Sequence, residues 1–192
     1  MTYVKASVRR PAGNPGNGIQ PKDQLVIYDV DDILYFPPRN EAGVVIEEDI
    51  VMKAGRYAIG IYLTPGTAEI SSNSDGETDA EGYTPSVKFN HPGNEQEIRE
   101  FKTNWLSKKC IVVLRYCSGK PADLIGTPCN PCKLSVSYTG SNESNTNELT
   151  FTQISKGDDI AIYRGTDTLE EPVAVVEAEA TDIDYQTDGQ YQ

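Results

Sequence analysis

No run of about 18 apolar residues occurs in the chain, so no stretch is long and apolar enough for a membrane-spanning helix. The opening "MTYVKASVRR" lacks the apolar centre of a secretory signal, so synthesis in a cytoplasm is expected, with release by lysis still open. Histidine occurs once, as His91, and tryptophan once, as Trp105. A single histidine leaves little from which to build a Ser-His-Asp site. The glycines of "NPGNGIQPKD" follow no strand and lead to no GK[ST], so a phosphate-binding loop is not expected. Basic residues are scarce as well: 17 Lys and Arg stand against 29 Asp and Glu, a net charge of −12. Phosphate contacts need Lys and Arg, so such a surface is a poor grip for nucleic acid, though one that nucleic acid can slide past.

What is present leans towards β structure. The 192 residues suit one domain with arms, and 11 Tyr accompany many Val, Ile and Thr. Residues 1–22 carry four bases and no acids, and "PAGNPGNGIQPKD" reads as linker, so a flexible basic arm is expected there. Residues 167–192 carry eight acids and no bases and are expected to be an acidic arm, leaving 23–166 as the folded domain.

Strands are predicted at 25–28 and 33–36, the second stopped by Pro37, and in "GVVIEEDIVM". In residues 56–64, Tyr57, Ile59, Ile61 and Leu63 alternate with Arg56, Ala58, Gly60, Tyr62 and Thr64, the pattern of a half-buried strand. "SSNSDGETDAEG" reads as an acidic loop, and "YTPSVKFN" as a strand with Val87 and Phe89 on one side. One helix is predicted over 94–109, with Asn94 and Glu97 in a capping-box pattern and Ile98, Phe101, Trp105 and Leu106 in one stripe. "CIVVLRYC", "KLSVSY", "ELTFTQI" and "DIAIYRG" are further strands, and "PVAVVEAEA" a late strand or short helix. Eight or nine strands with a single helix point to a mainly β fold, a sandwich or barrel of two packed sheets flanked by that helix.

The four cysteines follow C-x6-C-x11-C-x2-C, with one C-x-x-C where a structural zinc site commonly has two. Cys110 and Cys117 lie seven apart on a predicted strand, hence on opposite faces and about 23 Å apart. A thioredoxin-like pair would open a helix, whereas Pro131 sits inside this motif and a strand follows. Cys129 and Cys132 therefore read as a turn pair, open to a local disulfide, with Cys110 and Cys117 as two solitary thiols. The carboxylates of "DVDD" and "GDD" lack the full pattern of a calcium loop and read as turn formers. No metal, no cofactor and no catalytic set is expected, which makes an enzyme the weaker class.

The ordered segments "DDILYFPPRN", "GVVIEEDIVMKAGRYAIGIY", "YTPSVKFNHPGNEQEIREFKTNWLSKKCIVVL", "GTPCNPCKLSVSY", "NELTFTQI" and "AIYRG" span roughly residues 25–165. In that order they resemble tail tube (major tail) proteins of long-tailed phages and prophages of anaerobic gut bacteria. The resemblance implies a virion structural protein, made in the host bacterial cytoplasm and located in the tail. It implies hexameric rings stacked into a tube, contact with other tail proteins, and genomic DNA passing through the lumen without specific binding. On that basis Arg56, Ala58, Gly60, Tyr62 and Thr64 are lumen-facing candidates, and Asp75, Glu77, Asp79 and Glu81 candidates for contact between rings. Two alternatives stand beside it. One is a tail terminator or connector ring. The other is a monomeric carbohydrate- or receptor-binding sandwich presenting Tyr83, Tyr138 and Tyr163. A metal-dependent enzyme built on His91 and the cysteines is a remote third.

Overall fold

The computed structural model describes residues 5–13, 16–117 and 119–169. The segment "PVAVVEAEA" and the acidic residues from 170 onward lie outside the described residues. The chain folds as β1 (Pro21–Asp29), β2 (Ile33–Tyr35), β3 (Val45–Ile46), β4 (Val51–Met52), β5 (Ile59–Tyr62), β6 (Glu69–Asp75) and β7 (Gly82–Pro92). After α1 (Gln96–Trp105) come β8 (Cys110–Tyr116), β9 (Ala122–Ile125), β10 (Cys132–Gly140), β11 (Asn145–Gln153) and β12 (Ala161–Tyr163). The fold is mainly β, as expected: one large mixed sheet, a small β2–β4 sheet and one α-helix, without a closed barrel.

The two apolar runs, "LVIY" in β1 and "CIVVL" in β8, decide the layering. They pair antiparallel, from Leu25 opposite Leu114 to Asp29 opposite Cys110. Successive side chains of a strand point to opposite faces, and here both faces are apolar, so the pair is buried on both sides. Leu25, Ile27, Val112 and Leu114 enter one core with Ile61, Leu63, Val87, Phe89, Leu134, Leu149 and Phe151. Val26, Tyr28, Ile111 and Val113 enter a second core with Ile46, Ile50, Leu124, Ala161 and Tyr163. The pair is a wall between two cores, each buried side chain worth roughly 1.5–3 kcal/mol by removal from water.

The helix closes the first core. Ile98 is buried, and Phe101 and Trp105 stack at 5.7 Å on its flank, whereas Leu106 ends the helix and stays half exposed. The expected capping box does not form. Glu95 holds the cap position without a side-chain hydrogen bond, because Asn94 Oδ1 is taken by Lys102 Nζ at 2.9 Å. A charged donor outcompetes a backbone N–H for that oxygen. The same ammonium reaches Asn147 Oδ1 at 2.6 Å, so Lys102 ties the helix to a buried amide of β11.

Other expectations change in detail. "GVVIEEDIVM" splits into β3 and β4, which belong to different sheets. The stretch expected as acidic loop is strand up to Asp75, because Ser71–Asp75 pairs residue by residue with β7, leaving 76–81 as the turn. His91 lies in β7 opposite Asn147, so the strand runs past the predicted "YTPSVKFN" to Pro92. The short strand β9, "ADLI", has no counterpart among the predicted strands.

One edge of β8 is forked. β9 pairs with it at Val112, Val113 and Leu114, while β10 meets it at one position, Cys132 opposite Cys110. From there β10, β11, β7 and β6 run on as the second half of the sheet, which folds over the first. Residues 126–131, "GTPCNP", make the corner. Gly126 has φ +91°, and a Cβ there would stand 3.1 Å from Cys132 Sγ and 3.3 Å from Cys110 O. Thr127 and Asn130 exchange backbone hydrogen bonds at 3.0 and 3.1 Å. The Asn130 amide donates to Ser155 O at 2.7 Å and accepts from Ser155 N at 2.9 Å, pinning the corner to the end of β11. Cys110, expected as a solitary thiol, is therefore the cross-strand neighbour of Cys132.

The corner predicts an asymmetry between glycines. Gly126→Ala should lower the unfolding free energy by about 1–3 kcal/mol in a urea titration, because a left-handed backbone and a crowded methyl coincide. Gly16→Ala, with nothing within 4 Å of the added methyl, should change it by less than about 0.5 kcal/mol.

Candidate assembly surfaces

The predicted lumen strand is shorter than its sequence pattern, and its five candidates part company. β5 covers Ile59–Tyr62, with Ile61 and, just beyond, Leu63 in the first core. Arg56 precedes the strand and pairs with Asp32 at 3.4 Å. Ala58 is 0% exposed and packs in the second core, so it cannot face a lumen. Thr64 follows the strand and starts a turn, its carbonyl accepting from Thr67 N and Oγ1 at 3.2 and 2.7 Å. Gly60 and Tyr62 remain exposed on one face, Tyr62 standing edge-on to His91 at 6.2 Å between ring centroids.

The four acidic candidates stay together at the β6–β7 hairpin, all exposed. The turn that presents them needs left-handed backbone at Asp79, φ +70°, and closes with Ala80 N donating to Glu77 O at 2.9 Å. Asp75 is held at 3.2 Å by Lys156, which lowers its carboxyl below the usual range. Among the described residues no cation lies within ion-pairing distance of Glu77, Asp79 or Glu81.

Among the described residues, β6 at one end of the path and β5 on the branch from β1 each have one side open. β6 pairs only with β7 among the described residues, and β5 only with β1 apart from a single parallel bridge from Ala58 to Leu169. β6, "EISSNSD", has no proline, no lysine and an unbroken register with β7. Proline, lysine and a bulge that breaks the register are among the devices by which soluble proteins guard an edge.

Residues 164–169 are strapped across the other half of the sheet. Asp167 pairs with Arg115 and accepts from Tyr28 Oη at 2.6 Å, while the Arg115 guanidinium lies 5.5 Å over the Tyr163 ring. Arg115 Nη2 also donates to Gly165 O at 2.7 Å, and Thr166 N to Asp49 Oδ1 at 2.6 Å. Burial and the Asp167 charge push the Tyr28 hydroxyl well above its ordinary pKa. These contacts tie Asp167, one residue past the expected boundary at 166, to the sheet. At the other end β1 begins at Pro21, and Gln20 O accepts from Cys117 N at 2.9 Å, so the last residues of the expected basic arm are part of the sheet's surroundings. Residues 17–20 line a cavity of about 570 Å³ with Tyr116, Lys120, Pro121, Asp123 and Ile162. Tyr116 Oη donates to Asp123 there, and burial raises the pKa of that carboxyl.

The tyrosines of the carbohydrate-binding alternative do not form a platform. Tyr163 is 0% exposed, and Tyr138 lies under Lys102 Nζ at 5.1 Å. Among the described residues no three of His, Cys, Asp and Glu gather as a metal site. His91 Nδ1 is buried without a hydrogen-bond partner among them, and burial lowers the pKa of the ring.

Two outcomes follow. Asp167→Asn leaves Arg115 partly buried without its counter-charge and should cost about 3 kcal/mol in denaturant unfolding. For His91, the folded state resists protonation more than the unfolded chain, whose imidazole titrates near 6.5. Its contribution is full above that pH and is lost as pH falls through the lowered folded value. His91→Gln should flatten the fall in thermal midpoint over that window.

No protein-family model, no curated protein and no solved structure matches this chain.

Proposed function

We propose that this chain is a structural subunit of a phage tail tube, closing through its sheet edges into hexameric rings that stack around a lumen for DNA. The observation that supports the reading is the open seven-residue edge of β6, unguarded by proline, lysine or bulge among the described residues, together with the open edge of β5 on the branch that β1 carries. An exposed edge offers a row of unpaired backbone groups, and a monomer that keeps one risks aggregation. A subunit with two different open edges joins copies heterologously, and a heterologous contact that closes makes a ring. The number six comes from the sequence resemblance, and no chemistry on substrate is assigned.

Charge supports the same reading. With 29 acids against 17 bases, DNA phosphates meet repulsion rather than a binding groove. Gly60 and Tyr62 are the two of the five lumen candidates retained. The exposed Glu77, Asp79 and Glu81 suit contact with a basic partner such as residues 1–22 of a neighbouring ring.

The test is negative-stain microscopy of purified protein at high concentration. Rings and tubes about 100 Å wide are expected, from six sandwiches with sheets about 10 Å apart. Asn73→Lys with Ser74→Lys places charge on the β6 edge and should leave a folded monomer by circular dichroism that forms no rings. Single rings that never stack would favour a terminator or connector, and a compact monomer at every concentration would overturn the assembly reading.

A further inference from the structure

We infer that Cys110 and Cys132 are a disulfide-forming pair that locks the fork of the sheet, and that the C-x-x-C partner Cys129 is not involved. This rests on the geometry of the corner and is independent of the tube reading.

Cys132 is the first residue of β10, Cys110 the first of β8, and the two are directly opposite in antiparallel register. Directly opposed antiparallel residues have Cα atoms about 4.5 or 5.5 Å apart, and both spacings fall within the range a disulfide spans. Cys110 Sγ lies 3.4 Å from Cys132 O, over the backbone of its partner. Both side chains point into the first core and are at most 1% exposed. Cys129 is exposed on the outside of the corner, so the local C-x-x-C pairing would require one cysteine to leave the core or the other to enter it. Gly126 gives the Cys132 sulfur its space, since any Cβ there would crowd it.

Both thiols are reduced in the structure described. In the proposed step each gives up its hydrogen, one S–S bond forms, and two electrons and two protons reduce a small-molecule disulfide to two thiols. Burial pushes the Cys110 thiol up to about 12 and raises that of Cys132, so little thiolate is present in the closed fold. Formation is therefore slow in the native protein and fast when the corner opens. Once formed, the bond is shielded from reductant by the same burial. It would tie together strands 22 residues apart in sequence at the only position where β10 meets β8.

The experiment incubates the reduced full-length protein with oxidised glutathione near its thermal midpoint, cools it, alkylates free thiols under denaturing conditions and maps the peptides by mass spectrometry. A Cys110–Cys132 crosslink is expected, with Cys117 and Cys129 alkylated or glutathionylated. The thermal midpoint of the oxidised monomer should rise by several degrees and return on full reduction after unfolding. Cys117→Ser with Cys129→Ser removes the exposed thiols and should preserve both the crosslink and the shift, whereas Cys110→Ala should abolish them. Recovery of Cys129–Cys132, of intermolecular bonds alone, or of free Cys110 and Cys132 in the refolded monomer would overturn the inference. So would a crosslink that lowers the midpoint.

Discussion

Pairing β1 with β8 sets two apolar runs side by side, and neither run has a polar face to show to water. A strand buried on one side needs one covering layer; a pair buried on both needs two. The remaining architecture meets that demand. β10, β11, β7 and α1 cover one side, and β2, β4, Ile50 and the strap at 164–169 cover the other side of the sheet that β1 and β8 share with β9, β12 and β3. The fork at β8 is where the covering half departs, because strands that lie beside β8 in its own sheet cannot also cover its face. The chain resolves this by giving the upper part of β8 to β9 and its first residue to β10.

Polar groups hold the covering layers where they meet. Lys108 pairs with Asp29, and Val30 N donates to Lys109 O at 3.0 Å, which fixes the chain leaving the helix against the end of β1. Lys102 fastens the helix to Asn147, and Arg115 with Asp167 fastens the strap. Each of these is a charged side chain satisfying a buried or half-buried polar group, and such groups are costly to leave alone.

Much of this was legible in the sequence because it is local. Alternation in "YTPSVKFN", "KLSVSY" and "ELTFTQI" gave β7, β10 and β11, and the spacing of Ile98, Phe101 and Trp105 gave the helix. What could not be read depends on partners far away in the chain. Asn94 looks like a cap until Lys102 occupies its oxygen. Ala58 looks like a small residue on a wet face until Thr168 and Leu169 cover it. Ser71–Asp75 looks like loop, since serines and an aspartate carry no strand preference, and becomes strand because β7 is long enough to pair with all of it. The cysteines misled in the same way: spacing along the chain joins Cys129 to Cys132, whereas register across strands joins Cys132 to Cys110. The assembly surfaces were legible only as an acidic hairpin; the open edge of β6 is a property of topology, with no sequence signature of its own.

The parallel bridge between Ala58 and Leu169 has a further consequence for the open edge of β5. It anchors the chain at the foot of that edge, with Ala58 N donating to Thr168 O at 3.0 Å. The bridge thereby takes up the backbone of Ala58, so the stretch of this edge left for another strand begins only beyond it, within Ile59–Tyr62.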